Sequence, residues 1–333
     1  MKQPCAIWPV PSHHHLAFPL PPLKPRPNMH NDPHTLLSSA SSPSTQAVPR
    51  RSGLHSDLDT LNQHLTQRRR TLRWLAAGAC VTATPLGLLA CGGGTLDDDG
   101  ITTVTGTGAS GETCTTIPTE TAGPYPGDGS NGSSGGQRTN ALVLSGIVRS
   151  DIRSSIAGAS GTALGVPLTV SLQLVNAAGS CTPLEGLAVY LWHCTRDGGY
   201  SMYSGGLTGE NFLRGVQVSD SNGAVQFTTI FPGCYAGRWP HIHFEVYANL
   251  NEALDNSATS DYLKVSQLAL PASACEQVYG QKAGYSNSVA NFAAISLNSD
   301  NVFGDDEASR QMATVSGNAN AGFAASLQVA LAI

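Results

Sequence analysis

The sequence predicts an all-β fold, an antiparallel β-sandwich or barrel. Three observations carry this reading: low charge (12%), 36 Gly and 20 Pro in 333 residues, and short β-prone runs separated by turn residues. The runs, in order, are 141–148 (ALVLSGIV), 168–175 (LTVSLQLV), 187–194 (LAVYLWHC), 214–219 (RGVQVS), 224–230 (AVQFTTI), 241–247 (HIHFEVY) and 263–270 (LKVSQLAL). NAAGS, TRDGG and DSNG lie between them and supply turn chemistry. Residues 272–312 read as loop with one short helix, and 323–331 as a closing strand. The stretch 127–136 (GDGSNGSSGG) reads as a loop.

Four segments follow from composition. Residues 1–66 are rich in Pro, His and Ser without hydrophobic periodicity, and read as disordered or as a leader upstream of the true start. Residues 67–90 join Arg68, Arg69, Arg70 and Arg73 to an uncharged apolar stretch, the pattern of a signal peptide of twin-arginine type. Leu88-Leu89-Ala90-Cys91 resembles a lipobox, so Cys91 is expected to carry a lipid; the alternative is an ordinary signal peptide with Cys91 free or bridged. Residues 91–113 form a Gly/Thr/Asp tether, and 114–333 one β domain. The chain is thus expected to be exported, periplasmic or at the cell surface, and held to the membrane only through that lipid. A net charge of −5 without a sustained basic block argues against nucleic acid as a partner. Beyond Cys91 come Cys114, Cys181, Cys194, Cys234 and Cys275, whose spacing fits no zinc pattern; at most two disulfides form, and pairing is open.

Chemistry concentrates in residues 232–246, PGCYAGRWPHIHFEV. Side chains alternate on a strand, so His241 and His243 share a face with Cα atoms about 6.5–7 Å apart, a way to present two imidazoles to one metal. Two ordinary buried histidines are the competing reading. Glu245 shares the face but sits about 13 Å from His241, too far to be a third ligand from the same strand. The remaining donors are sought among phenols: Tyr235, in the turn six residues before His241, and Tyr200, ending WHCTRDGGY. Phenolates are hard anionic donors that suit ferric iron. Arg238, between Tyr235 and His241, would place a fixed positive charge beside the metal; a surface salt bridge is its bland alternative.

With these residues in view, the segment Trp192-x7-Tyr200, the R-G-x-Q-x-S-D-x-x-G turn, T-I-x-P-G-x-Y and R-x-P-H-I-H together resemble the intradiol ring-cleavage dioxygenases, the protocatechuate and catechol dioxygenase family. ETAGPYP (120–126) resembles that family's stretch beside the substrate pocket, and the likeness runs in order over 114–250. It implies a β-sandwich holding non-haem Fe(III) through Tyr200, Tyr235, His241 and His243. It further implies Tyr235 as the phenolate that leaves to act as a base, Arg238 as the charge that stabilises substrate, and Gln217 as a pocket-side glutamine. The implied reaction cleaves a catechol-type diol with O2, both oxygen atoms entering a muconate-type diacid. Three features depart from the classical enzymes: a short Tyr235–His241 gap, no helical dimerisation segment, and the export signal. They leave the substrate and the oligomeric state open. A lipid-anchored binding module with a vestigial or non-iron site, and a different metalloenzyme or hydrolase using the two histidines, are the alternatives. Cys194 and Cys234 neighbour the ligand segments and are either bridged or buried thiols. Trp192 and Trp239 read as packing residues.

Overall fold

The computed structural model describes residues 94–96, 102–109, 111–132, 138–255 and 262–333. The expected leader, signal sequence and Cys91 lie outside the described residues. Contacts divide the chain into Met1–Leu65 and Thr66–Ile333, and every described residue belongs to the second unit.

The strands are β1 (Gly94–Leu96), β2 (Thr102–Thr107), β3 (Thr113–Thr115), β4 (Asp128–Gly132), β5 (Arg138–Asn140), β6 (Pro167–Asn176), β7 (Thr182–Pro183), β8 (Ala188–Trp192), β9 (Arg214–Val218), β10 (Ala224–Ile230), β11 (His241–Tyr247), β12 (Lys264–Ala269), β13 (Thr314–Asn318) and β14 (Gly322–Leu331). Helices are α1 (Leu250–Leu254), α2 (Ala272–Gln281) and α3 (Ser286–Ala293). One main sheet runs β10-β6-β14-β13, with β7 on the end of β6; the other runs β12-β11-β8-β9. The expected sandwich is therefore present.

Period-two alternation builds its core. Leu168, Val170, Leu172 and Leu174 of β6 and Phe323, Ala325, Leu327 and Val329 of β14 face Val189 and Leu191 of β8 and Ile242, Phe244 and Val246 of β11 in one apolar cluster. The second sheet is buried on its other face as well, so every residue of β11 is buried. That outer face carries Ala188, Tyr190 and Trp192, and in register with them Tyr247, Glu245 and His243. Ala141, Leu142, Ile147 and Tyr200 pack over it. Polar strand residues thereby lie under a covering of loops, which is what creates an enclosed site.

Five local expectations need correction. β14 pairs parallel to β6, from Phe323↔Leu168 to Leu331↔Asn176, so the sandwich is antiparallel except at this ladder. The two strands are separated by the entire second sheet, the long crossover that a parallel pair requires. Residues 141–147 turn instead of extending: Leu144 N–H donates to Ala141 O, Ile147 N–H to Leu144 O, and Gly146 has φ +89°. Their burial does not alternate, and only Val148 bridges a strand, at Val216. The glycine-rich stretch 127–136 begins as β4, which pairs with β5. Residues 272–312 hold two helices; in α2, Ala274, Cys275, Val278 and Tyr279 are buried at the spacing of one helical stripe. Within the expected tether, β2 pairs with β3, and Cys114 is bridged to Cys181. Among the described residues no helix is long and apolar enough to cross a membrane.

Candidate metal centre

Three segments deliver the donors. β11 presents His241 and His243 on the outer face of the second sheet. Tyr200 ends the turn that leaves β8, where Thr195 N–H donates to Gly199 O and Tyr200 N–H to Ser204 Oγ (2.8 Å). Gly198 in this turn has φ +87°, and a Cβ there would lie 3.1 Å from Tyr235 Cβ, so both conformation and space call for glycine. Tyr235 follows β10, and α3 holds its neighbour: Cys234 N–H donates to Ser288 Oγ (2.9 Å), and Asn291 Nδ2 donates to Cys234 O (2.8 Å).

The polar tips converge. Tyr235 Oη lies 3.1 Å from His241 Nε2 and 3.5 Å from Tyr200 Oη. Tyr200 Oη lies 3.4 Å from His243 Nε2, and the two Nε2 atoms are 3.1 Å apart. His241 Nδ1 lies against Trp239 O, so Nδ1 carries the proton and Nε2 turns a bare lone pair to the centre. His243 Nδ1 has no hydrogen-bond partner, so either ring nitrogen can carry its proton, and with the proton on Nδ1 both Nε2 atoms offer lone pairs to a cation. Donors about 2.1 Å from one ion and about 90–115° apart lie about 3.0–3.5 Å from each other, and the four neighbouring pairs around this ring of atoms fall in that range. Among the described residues no group of three or more His, Cys, Asp or Glu side chains is arranged to hold a metal. The centre departs from that pattern because half its donors are phenols.

Burial sets the electrostatics. It pushes the Tyr235 phenol up to about 12, with Arg238 opposing, and the Tyr200 phenol well above its ordinary value, reinforced by Tyr235. It holds both imidazoles well below theirs, helped by Arg238. Without an ion the four donors are neutral at pH 7, and a cation would reverse this for the phenols. The donor set fits a hard trivalent ion: two anionic oxygens when ionised and two neutral nitrogens.

Surrounding residues fix these donors. The Trp192 ring stacks on His243 (4.9 Å between centroids, 5° between planes), so its packing role is performed on a candidate ligand. Arg238 is buried, donating from Nε to Asp300 Oδ2 (3.0 Å) and from Nη2 to Gln267 Oε1 (2.6 Å). Gln267 stands opposite His243 in the β11–β12 ladder, and its Nε2 donates to Thr121 O (2.8 Å). Arg214, fully buried, donates to the carbonyls of Tyr125, Pro126 and Ser201, to Ser201 Oγ and to Tyr190 Oη. It thereby clamps the 121–127 strap and the residue after Tyr200. A Cβ on Gly123 of that strap (φ +74°) would meet His243 Cε1 at 3.3 Å.

The structure brings Tyr200, Tyr235, Arg238, His241 and His243 together and leaves Gln217 apart. Gln217 pairs with Val189, so it occupies the face opposite Trp192 and His243, and its Nε2 donates to Val216 O (3.1 Å). Two residues farther along a strand keep a face and one residue changes it; Arg214, three residues before Gln217, is the member of that motif on the site's face. Gln267, Asp300 and Arg214 were missed, and only Arg214 carried a signal, the charged residue at the start of an apolar strand. Glu245 donates nothing to the centre: its Oε2 accepts from Tyr247 Oη (2.7 Å), and burial, then Asp128, pushes its carboxyl up to about 8. Cys194 and Cys234 are unbridged, as is Cys275. Burial pushes the Cys194 and Cys234 thiols up to about 12, which keeps them unreactive.

Residues 149–254 match the family model described as dioxygenase. A curated relative, chlorocatechol 1,2-dioxygenase of Rhodococcus opacus, is 39% identical over 56 residues, 17% of this chain and 22% of that protein. The matched stretch thus spans about a fifth of that relative. Among solved structures, the intradiol ring-cleavage dioxygenase from Tetranychus urticae aligns at TM-score 0.47 and 22% identity, covering 66% of this chain and 95% of that one. The 3-chlorocatechol 1,2-dioxygenase from Rhodococcus opacus 1CP aligns at TM-score 0.39 and 16% identity, covering 65% and 72%.

Proposed function

We propose that this chain, which resembles the intradiol ring-cleavage dioxygenases and matches the dioxygenase family model over residues 149–254, is a non-haem Fe(III) enzyme that cleaves a catechol-type diol with O2 to a muconate-type diacid. The observation that carries the reading is the convergence of two phenol oxygens and two imidazole nitrogens at 3.1–3.5 Å. Tyr200, Tyr235, His241 and His243 are the residues that would hold the ion. When bound, Fe(III) supplies a Lewis acid that accepts a diolate and draws electron density from its ring.

The chain's own residues then have separable tasks. Tyr235 is half-buried where Tyr200 is fully buried, so of the two phenols it is the one with room to move. As a phenolate, its Oη would take one proton from the incoming diol. Trp192 keeps the His243 ring in plane, and the Trp239 carbonyl keeps the His241 lone pair aimed inward. Arg238 keeps a positive charge near Tyr235 and His241 without reorganisation, which favours negative charge gathering on the substrate ring. The strap through Gly123 covers His243 and limits water at the centre.

The test is to load the purified protein with ferric iron, then record its visible spectrum and its oxygen uptake with catechol, protocatechuate and hydroxyquinol. Near one iron per chain, a phenolate-to-iron band and a ring-opened diacid are expected. Zinc or no metal, with no band, would favour the binding-module alternative.

The reading extends to location. Residues 67–91 support export with a lipid on Cys91, and the Cys114–Cys181 bridge suits an oxidising compartment. Mass spectrometry of the mature amino terminus tests it: a diacylated Cys91 is expected, and an unmodified terminus elsewhere refutes it.

A further inference from the structure

Asp300 lies outside the segment that matches the dioxygenase family model, on the turn that follows α3 and Ile295. Its side chain is wholly buried. One carboxylate serves four donors. Oδ2 accepts from Arg238 Nε (3.0 Å) and Trp239 N–H (2.6 Å), and Oδ1 from Val302 N–H (2.8 Å) and Phe303 N–H (3.1 Å). The last two bonds fold the turn back on itself. That places the Phe303 ring under the Arg238 guanidinium (5.8 Å) and edge-on to His241 (6.4 Å between centroids).

A buried guanidinium needs both a counter-charge and a fixed direction. Nε is held by Asp300, Nη2 by Gln267, and the ring of Phe303 closes one face. No other carboxylate forms an ion pair with Arg238 among the described residues. The same Oδ2 atom also holds the backbone of Trp239, whose carbonyl orients His241. Asp300 thereby ties the 300–303 turn both to Arg238 and to the backbone that orients His241.

Building on the dioxygenase reading, we propose that Asp300 is a positioning residue that aims the Arg238 charge at the substrate. Asparagine at this site would set an amide N–H against the Arg238 and Trp239 donors, or against those of Val302 and Phe303. Either way at least one donor pair loses its acceptor. The guanidinium then drifts from the position where it meets charge that develops only as the ring reacts. Loss of such an interaction lowers kcat and leaves ground-state binding in place.

The experiment uses the full chain loaded with ferric iron and catechol as probe, in wild type, D300N, R238Q and the double variant. The wild-type phenolate band is read first; its absence overturns the dioxygenase reading itself, whatever Asp300 does. With the band present, D300N is expected to keep it and to bind catechol anaerobically within about threefold of wild type. Its kcat is expected to fall about 10–100-fold, the range that removal of an outer-shell partner produces. In the R238Q background the same substitution is expected to change kcat less than about threefold. An undiminished kcat in D300N, or an equal loss in both backgrounds, overturns the proposal. If D300N does not fold, D300E carries the test: kcat lowered at least about threefold with KM held supports it, and wild-type kcat overturns it.

Discussion

Each phenol in the centre has a different surrounding, and the difference predicts different phenotypes. Tyr200 is buried against Tyr125, with ring centroids 5.0 Å apart, and its backbone is tied to Ser204. Tyr235 sits in a turn held from outside by Ser288 and Asn291. Tyr200→Phe is expected to remove most of the phenolate-to-iron band of the loaded protein, because the more fixed oxygen is lost. Tyr235→Phe is expected to keep part of the band and to lower kcat about 100-fold, the scale of a lost general base; visible spectra paired with oxygen uptake separate the two. Gly198 offers a test of backbone geometry. At φ +87° with Tyr235 Cβ 3.1 Å from its own would-be Cβ, Gly198→Ala should cost about 1–3 kcal/mol in denaturant unfolding. It should also displace Tyr235, so iron binding should weaken with it.

Elements explain why some of this could be read in advance. β6, β10, β11, β12 and β14 were legible because apolar residues alternate along them or fill them, and turn residues stop them. Residues 141–147 have strand-like apolar content but no alternation, and Ser145-Gly146 turns the chain there. His241, His243 and their shared face followed from β geometry alone. Tyr200 and Tyr235 followed from donor chemistry and then from the family resemblance. Gln267 and Asp300 were invisible because they reach the site through ladder register and a distant turn, 26 and 59 residues after His241 by residue number. Gln217 differs for the opposite reason: its motif position suggests a pocket, but strand parity turns it to the face opposite Trp192 and His243. The small β2–β3 hairpin is pinned by Cys114–Cys181, a bridge closing a sequence separation of 67. Cys114→Ser is expected to lower unfolding free energy by about 2–5 kcal/mol, measured by urea unfolding under non-reducing conditions. The proposed metal centre draws no residue from that hairpin, so the iron content of the iron-loaded protein should be unchanged.

At the scale of the whole molecule, Glu120 sits where three parts of the chain meet: the strap, the edge strand β12 and the C-terminal segment. Its N–H donates to Val265 O (3.0 Å), and its Oε1 accepts from Gln311 Nε2 (3.4 Å). Burial first, then Asp305, raises its carboxyl from 4.5 to about 8, with Arg238 opposing weakly. In the unfolded chain the carboxyl titrates near its ordinary value, so between about pH 4.5 and 8 the folded protein holds a proton the unfolded one has released. Stability contributed by this group is therefore present at low pH, declines as pH rises through that window, and levels off above it. The decline is less than about 1.4 kcal/mol per pH unit, because Glu120 is only half-buried and water screens part of the penalty. Glu120→Gln keeps the contact with Gln311 and removes the titration. Urea unfolding of the metal-free protein at pH 5, 6.5 and 8 should show the variant gaining on wild type at each step, with the gap near zero at pH 5. Glu245 is common to both proteins and cancels in the difference, so a gap that is flat or shrinks with pH would exclude Glu120 as the strained carboxyl.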